Sequence, residues 1–257
     1  MNIREKVLLK DYTTFKIGGP ADYFVEAASL EEVTEAVAWA KEHSQKIFAL
    51  GGGSNLLVSD LGFRGLVIKL NLQRLDFTGN QVMVGAGVML AYLLNQALGN
   101  NLTGLEFAAG IPGTVGGAVR GNAGTYGLAM DSVVKNISYL DENFNLQKMS
   151  ASQAEFTYRH SIFKTKPFII LEVELELDSG DLAGAKALVA ERIKYRQDTQ
   201  PTEPSAGCIF KNIRFEDVNI DELKVRGLEV DRFFQHRKIP AAYIIEKMGL
   251  KGYTIGQ

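Results

Sequence analysis

The chain has 257 residues, 46% of them hydrophobic and 23% charged, with a formal net charge of -2. That balance fits a globular protein of one large or two to three small domains, and it gives no electrostatic case for nucleic acid or an anionic membrane surface. One Cys excludes an internal disulfide and suits a reducing, cytoplasmic setting; three scattered His show no metal-ligand spacing, and no apolar run reaches the roughly 20 residues of a membrane helix.

The opening "MNIREKVLLKDYTTF" lacks the apolar stretch of a signal peptide. Residues 29–45, "SLEEVTEAVAWAKEHSQ", predict a helix. Ser29 and Glu32 stand at capping-box spacing, and Leu30, Val33, Val37 and Ala40 form one apolar stripe. "KIFAL" reads as a short buried strand that runs into Gly51, Gly52, Gly53, Ser54 and Asn55, and "GLVIKL" as a second strand. A first α/β unit is expected over residues 1–71.

A second unit, 72–178, opens with the strand "QVMVGAGV" and the amphipathic helix "MLAYLLNQALGN". The glycine-rich stretch 104–127 follows, then a hairpin across Asp141, Glu142 and Asn143. "FIILEVELELD" is a strand in which Ile169, Leu171, Val173, Leu175 and Leu177 alternate with mostly acidic residues. A third unit, 179–257, begins with a helix ended by Pro201. Residues 214–241 are charged and hard to assign, "AAYIIEKMGL" is a helix closing at Gly249, and "KGYTIGQ" has the look of a strand.

Glycine is in excess, 26 residues or about a tenth of the chain, against a usual share of roughly 7%. After a strand, the run Gly51 to Asn55 could turn backbone N–H groups toward an anion. It is neither a P-loop nor the dinucleotide fingerprint, which needs glycine where Leu56 stands. Taken alone, a tight turn explains it as well. "GLEFAAGIPGTVGGAVRGNAGTYG" shifts the balance, because each interior glycine costs a helix or strand about 0.5–1 kcal/mol relative to alanine. Two such segments suit a long ligand with a diphosphate and flat rings, and FAD fits that description.

"TTFKIGGPADYFVEA", "LGGGSNLLVSD", "GLEFAAGIPGTVGGAVRGNAGTYG", "FTYRHSIFK" and "PSAGCIFKN" stand in the same order as in the UDP-N-acetylenolpyruvoylglucosamine reductases. The resemblance covers nearly the whole chain apart from about 213–240. It implies an α+β fold: an FAD-binding module of the vanillyl-alcohol-oxidase (PCMH) type in two subdomains, plus an α+β substrate-binding domain. It also implies a cytoplasmic, monomeric flavoprotein of peptidoglycan synthesis that uses FAD and NADPH to reduce UDP-N-acetylglucosamine enolpyruvate to UDP-N-acetylmuramate.

Carried over residue by residue, the resemblance makes Arg159 and Cys208 catalytic. Arg159 would fork onto the substrate carboxylate and oppose its developing charge. Cys208 stands where most of the family has a proton-donating serine, and a free thiol near pKa 8.5 is mostly protonated at neutral pH. The plainer alternatives are a surface Arg and a buried structural Cys. FAD contacts are expected from Gly51, Gly52, Gly53, Ser54, Asn55 and Leu56, from Ile111, Pro112, Gly113, Thr114, Gly116 and Gly117, and from Asn122, Ala123, Gly124 and Tyr126. Substrate contacts are expected from Tyr158, Arg159, Gln200, Lys211 and Asn212.

The family usually continues past "GYTIG" to a glutamate that assists at the intermediate. A chain ending at Gln257 is therefore expected to have an unfinished substrate domain and little turnover. The stretch 213–240 is longer and more charged than usual, as a surface insertion or a lid would be. Two other readings are a sister FAD-dependent oxidase of a sugar or hydroxy acid, and a non-catalytic FAD-binding remnant.

Overall fold

The structure, a computed structural model, describes residues 1–255. The chain divides into two compact units, Met1–Gly207 and Cys208–Gln257.

The first unit opens with β1 (Arg4–Leu8), β2 (Pro20–Ala27), α1 (Leu30–Glu42), β3 (Ile47–Leu50) and β4 (Phe63–Leu70), in sheet order β1-β2-β4-β3. β1 runs antiparallel to β2, while β2 and β3 both lie parallel to β4. Leu66, Ile68 and Leu70 share one core with Val33, Ala36, Val37 and Ala40 of α1; Val67 joins Leu9, Ala21, Phe24 and Leu50 in a second cluster. Each such valine or leucine, taken out of water, contributes about 1.5–3 kcal/mol. At the start of α1, Ser29 Oγ accepts from Glu32 N at 3.2 Å, and Glu32 Oε2 accepts from Ala28 N at 2.6 Å, one residue earlier than a strict capping box. Leu30 is 37% exposed, so the buried stripe runs through Ala36 instead.

The second sheet follows. Its elements are β5 (Leu75–Thr78), β6 (Gln81–Gly85), α2 (Leu90–Gly99), α3 (Val115–Gly121), the short pair β7 (Gly124–Thr125) and β8 (Leu128–Ala129), then β9 (Val134–Leu140), β10 (Leu146–Ser150) and β11 (Ile169–Glu176). The main strands are ordered β10-β9-β11-β6-β5, all antiparallel. Asp141 Oδ1 closes the β9–β10 hairpin by accepting from Asn143 N at 2.8 Å and Asn145 N at 2.9 Å. Val82, Val84, Ile137, Val173 and Leu175 face inward and join the core under α1, so the two sheets share one interior. Outward, Glu172, Glu174 and Glu176 meet Arg74, Lys148 and Lys135.

One expectation fails here. The glycine-rich stretch, read as too costly for regular structure, builds α3 with Gly116, Gly117 and Gly121 inside it. A Cβ on Gly116 would lie 2.7 Å from Ala86 Cβ, so the missing side chain lets the helix press against the chain after β6. Burial of Val115, Ala118 and Val119 offsets the lost propensity.

The unit boundary also differs from the expected 178/179. Helix α4 (Leu182–Thr199) belongs to the first unit, because its Ala185 and Val189 enter the main core. The second unit contains β12 (Ile213–Arg214), α5 (Ile220–Val225), β13 (Lys238–Ile239) and α6 (Ala241–Lys247), with Phe215, Val230, Ile239 and Tyr243 at its centre. Three of those four lie within 213–240, so this stretch is the body of the unit and not an insertion on it. Glu229 N donates to Tyr243 Oη at 2.8 Å. Residues 251–255 form no strand; Gly256 and Gln257 lie outside the described residues. Among the described residues no helix is long and apolar enough to cross a membrane.

Candidate active site

The two glycine segments meet. β3 delivers Gly51 to Asn55 against the loop that starts α3. A Cβ on Gly51 would lie 2.6 Å from Thr114 Oγ1, and one on Gly52 would lie 2.7 Å from Gly113 Cα. Gly53 has φ +64 and would place a Cβ 1.9 Å from Tyr12 O. Ser54 Oγ donates to Pro112 O at 3.0 Å, and Thr114 caps α3 by accepting from Gly117 N at 3.5 Å. Among the described residues, the N–H groups of Gly52, Gly53, Ser54 and Asn55 meet no hydrogen-bond acceptor. Four successive unclaimed donors at a glycine turn are suited to an anion. This donor set fits the diphosphate of a dinucleotide cofactor.

Beneath the loop lies Lys69, which the sequence reading passed over. It interrupts the apolar run of β4, and its Nζ donates to Gly51 O. Burial pulls its pKa down from the ordinary lysine value, against the opposing pull of Glu26. The signal available in the sequence was a lysine inside "GLVIKL".

The "FTYRHSIFK" motif docks on the far end of α3. Thr157 and His160 exchange backbone hydrogen bonds at 3.1 Å each, which leaves Tyr158 and Arg159 at the tip of a tight turn. Ser161 Oγ donates to Arg120 O at 2.8 Å. The Arg159 guanidinium donates to Gly124 O at 2.6 Å and Asn122 O at 3.4 Å. Asn122 is the C-cap of α3, where the helix dipole favours a cation, while Gly124 lies in β7. Arg159 itself has φ +57, a left-handed conformation unusual for a residue with a side chain. Strain of this kind costs on the order of 1–3 kcal/mol and collects at functional sites. Lys164 Nζ holds the turn by donating to Arg159 O at 2.8 Å.

Asn122 is tied into the fold through its side chain. Its Nδ2 donates to Asp131 Oδ2 at 3.0 Å and Thr157 O at 3.1 Å, and its Oδ1 accepts from Asp131 N at 3.0 Å. The amide splints the Arg159 turn. Gly116 and Gly124 are likewise accounted for by protein packing; a Cβ on Gly124 would lie 2.1 Å from Leu128 O. Ile111 and Ala123 are half-buried beside the main core, and Leu56 packs on the smaller cluster. Tyr126 is 53% exposed, with Arg192 Cζ 4.3 Å from its ring centre. Arg159 Cζ lies 5.4 Å from the Tyr158 ring centre.

Gln200 caps the end of α4 through its backbone N–H, which donates to Arg196 O at 2.8 Å. The remaining candidates belong to the second unit. Cys208 is exposed, which sets aside the buried structural reading. Lys211 is exposed; Asn212 Oδ1 accepts from Ala241 N at 3.4 Å, at the start of α6.

A family described as FAD binding domain matches residues 21–143. The UDP-N-acetylenolpyruvoylglucosamine reductase of Caldanaerobacter subterraneus subsp. tengcongensis is 38% identical over 253 residues, 96% of this chain and 75% of that protein. The chain belongs to the UDP-N-acetylenolpyruvoylglucosamine reductase family. The crystal structure of the Thermus caldophilus reductase (MurB) superposes with a TM-score of 0.73 at 35% identity, covering 88% of this chain and 81% of that one. A solvent-stable cholesterol oxidase shares 17% identity at a TM-score of 0.53, over 68% of this chain and 37% of its own, which shows a common fold and no more. The chain thus has the α+β flavoprotein fold. Its FAD-binding match contains both glycine segments and ends before Arg159 and Cys208.

Proposed function

We propose that this protein reduces the enolpyruvyl ether of UDP-N-acetylglucosamine to UDP-N-acetylmuramate, a step of peptidoglycan precursor synthesis, as a monomer in the cytoplasm. Bound FAD would relay hydride from NADPH to the terminal vinyl carbon. The N–H groups of Gly52 to Asn55 would hold its diphosphate, and Ser54 ties the two loops together through Pro112 O. NADPH and the sugar nucleotide take turns in one pocket, in a ping-pong sequence.

Arg159 binds the substrate carboxylate. Two of its donors are spent on Gly124 O and Asn122 O, which fixes the plane of the guanidinium. The remaining edge can fork onto a carboxylate whose charge grows as hydride arrives. Cys208 then delivers a proton to the adjacent carbon. Its thiol is a stronger acid than the serine hydroxyl it replaces, so the transfer is feasible at neutral pH. Lys211 and Asn212 contact the nucleotide, with Tyr158 beside the enolpyruvyl group and Gln200 at the edge of the site.

The observation that carries this reading is the extent of identity to the reductases, 38% over 253 residues and 96% of this chain. The test is mass spectrometry of the product formed with NADPH deuterated on its transferable position. One deuterium in the lactyl methyl group is expected. Substrate-independent flavin turnover with oxygen and a hydroxy acid would replace the reductase reading with an oxidase.

A further inference from the structure

Helix α4 carries two guanidinium groups that meet no acid among the described residues. Arg192 and Arg196 are four residues apart and so leave the same face of the helix. That face borders the glycine-rich segment at two places. Arg192 Cζ sits 4.3 Å from the Tyr126 ring centre, and a Cβ on Gly110 would come within 2.4 Å of Arg196 Cδ and 3.2 Å of its Nε. Lys194, two residues from either, pairs with Asp198 at 3.1 Å. Neither arginine has an ion pair among the described residues, and Arg192 Nη1 is buried without a hydrogen-bond partner among them.

Each of these features is unfavourable by itself. Like charges one helical turn apart repel, and a buried N–H without an acceptor loses its hydration for nothing. Tyr126 adds a third, since its φ of +55 is an outlier for a bulky residue. An anion on this face would relieve the first two.

We propose that Arg192 and Arg196 form a two-guanidinium clamp for a phosphate group of a nucleotide ligand, with the Tyr126 ring beside it. A carboxylate is satisfied by one guanidinium fork; a phosphate has enough terminal oxygens for two. The proposal rests on the function proposed above, which brings three phosphorylated nucleotides to the protein: FAD, NADPH and the UDP-sugar.

The test uses the full chain and the variants R192Q, R196Q, the R192Q/R196Q pair and K194Q. Three quantities separate the sources: the Kd of FAD for apoprotein by flavin fluorescence, the Kd of UDP for the FAD-loaded protein by calorimetry, and the rate preference for NADPH over NADH in anaerobic flavin reduction. In the double variant one of the three should fall by about 10- to 100-fold, as expected for lost charge-assisted hydrogen bonds, while the other two stay within about threefold. The affected quantity should also lose salt dependence. K194Q, which removes a like charge from the same helix, should leave all three within about threefold. R192K keeps the stem against Tyr126 and the charge, so it should fold and lose less than R192Q. Changes below about threefold in all three quantities overturn the clamp, as does an equal loss in K194Q. Arginine-dependent binding of FAD or UDP in a protein that NADPH does not reduce would leave the clamp standing and remove the function.

Discussion

Gly52→Ala tests the closure of the two glycine segments directly. The added Cβ would lie 2.7 Å from Gly113 Cα and 3.2 Å from Gly113 C. Carbon atoms settle at about 3.5–4.0 Å, so the loops must part by roughly 0.8–1.3 Å. Both neighbours are backbone, with no flexible side chain to swing away. Overpacking of this kind costs about 1–3 kcal/mol. The displacement also moves the Gly52 to Asn55 donors away from the diphosphate they are proposed to hold. Titration of apoprotein with FAD, followed by flavin fluorescence, should show at least a tenfold weaker Kd together with a lower melting temperature. Gly117→Ala is the companion: its Cβ meets only Thr114 Oγ1 at 3.6 Å, and a helical alanine gains about 0.5–1 kcal/mol over glycine. Apoprotein Gly117→Ala should melt higher. An FAD Kd in Gly52→Ala within twofold of wild type, at unchanged melting temperature, would refute the closure.

Arg159→Lys keeps a charge but loses the planar fork and one of the two carbonyl contacts, so kcat should fall by about 10²–10³ while the FAD Kd stays unchanged. A rate within threefold of wild type would remove Arg159 from the chemistry. Cys208→Ser should retain most activity, whereas Cys208→Ala should lose about 10²–10⁴ in substrate reduction but not in flavin reduction by NADPH; equal loss in both half-reactions would contradict a proton-donor role. Glu174 is held below its ordinary value of 4.5, first by the Asn136 hydrogen bond and then by Lys148. A depressed carboxylate contributes stability above its unfolded pKa and loses it as pH falls through the folded pKa. Denaturant melts should therefore show Glu174→Gln less stable than wild type near pH 7 and converging with it below the carboxylate range; a gap that persists in acid would refute this.

The elements most legible in the sequence were those whose pattern has a local cause. α1 is set by its cap at Ser29 and its apolar spacing, the β9–β10 hairpin by Asp141, and β11 by alternation that puts Glu172, Glu174 and Glu176 outside. The glycine segments were read as a ligand cradle, yet their contact with each other depends on tertiary approach that periodicity does not carry. For the same reason α3 went unread: the glycines that weaken a helix in isolation are what allow it to lie against Ala86. Asn122 shows a structural task that the motif does not reveal, since its side chain bonds Asp131 and Thr157. The charged stretch 213–240 resisted assignment because its core residues, Phe215, Val230 and Ile239, are widely spaced and sit on short elements.

Central to the account is a protein whose bound FAD accepts hydride from NADPH and passes it on to an enolpyruvyl sugar nucleotide. Anaerobic absorbance of the FAD-loaded chain measures both halves in one cuvette. The account predicts bleaching of the flavin band by one equivalent of NADPH and its return on adding UDP-N-acetylglucosamine enolpyruvate. Bleaching that persists after the sugar nucleotide is added, in protein that binds it, would contradict the account.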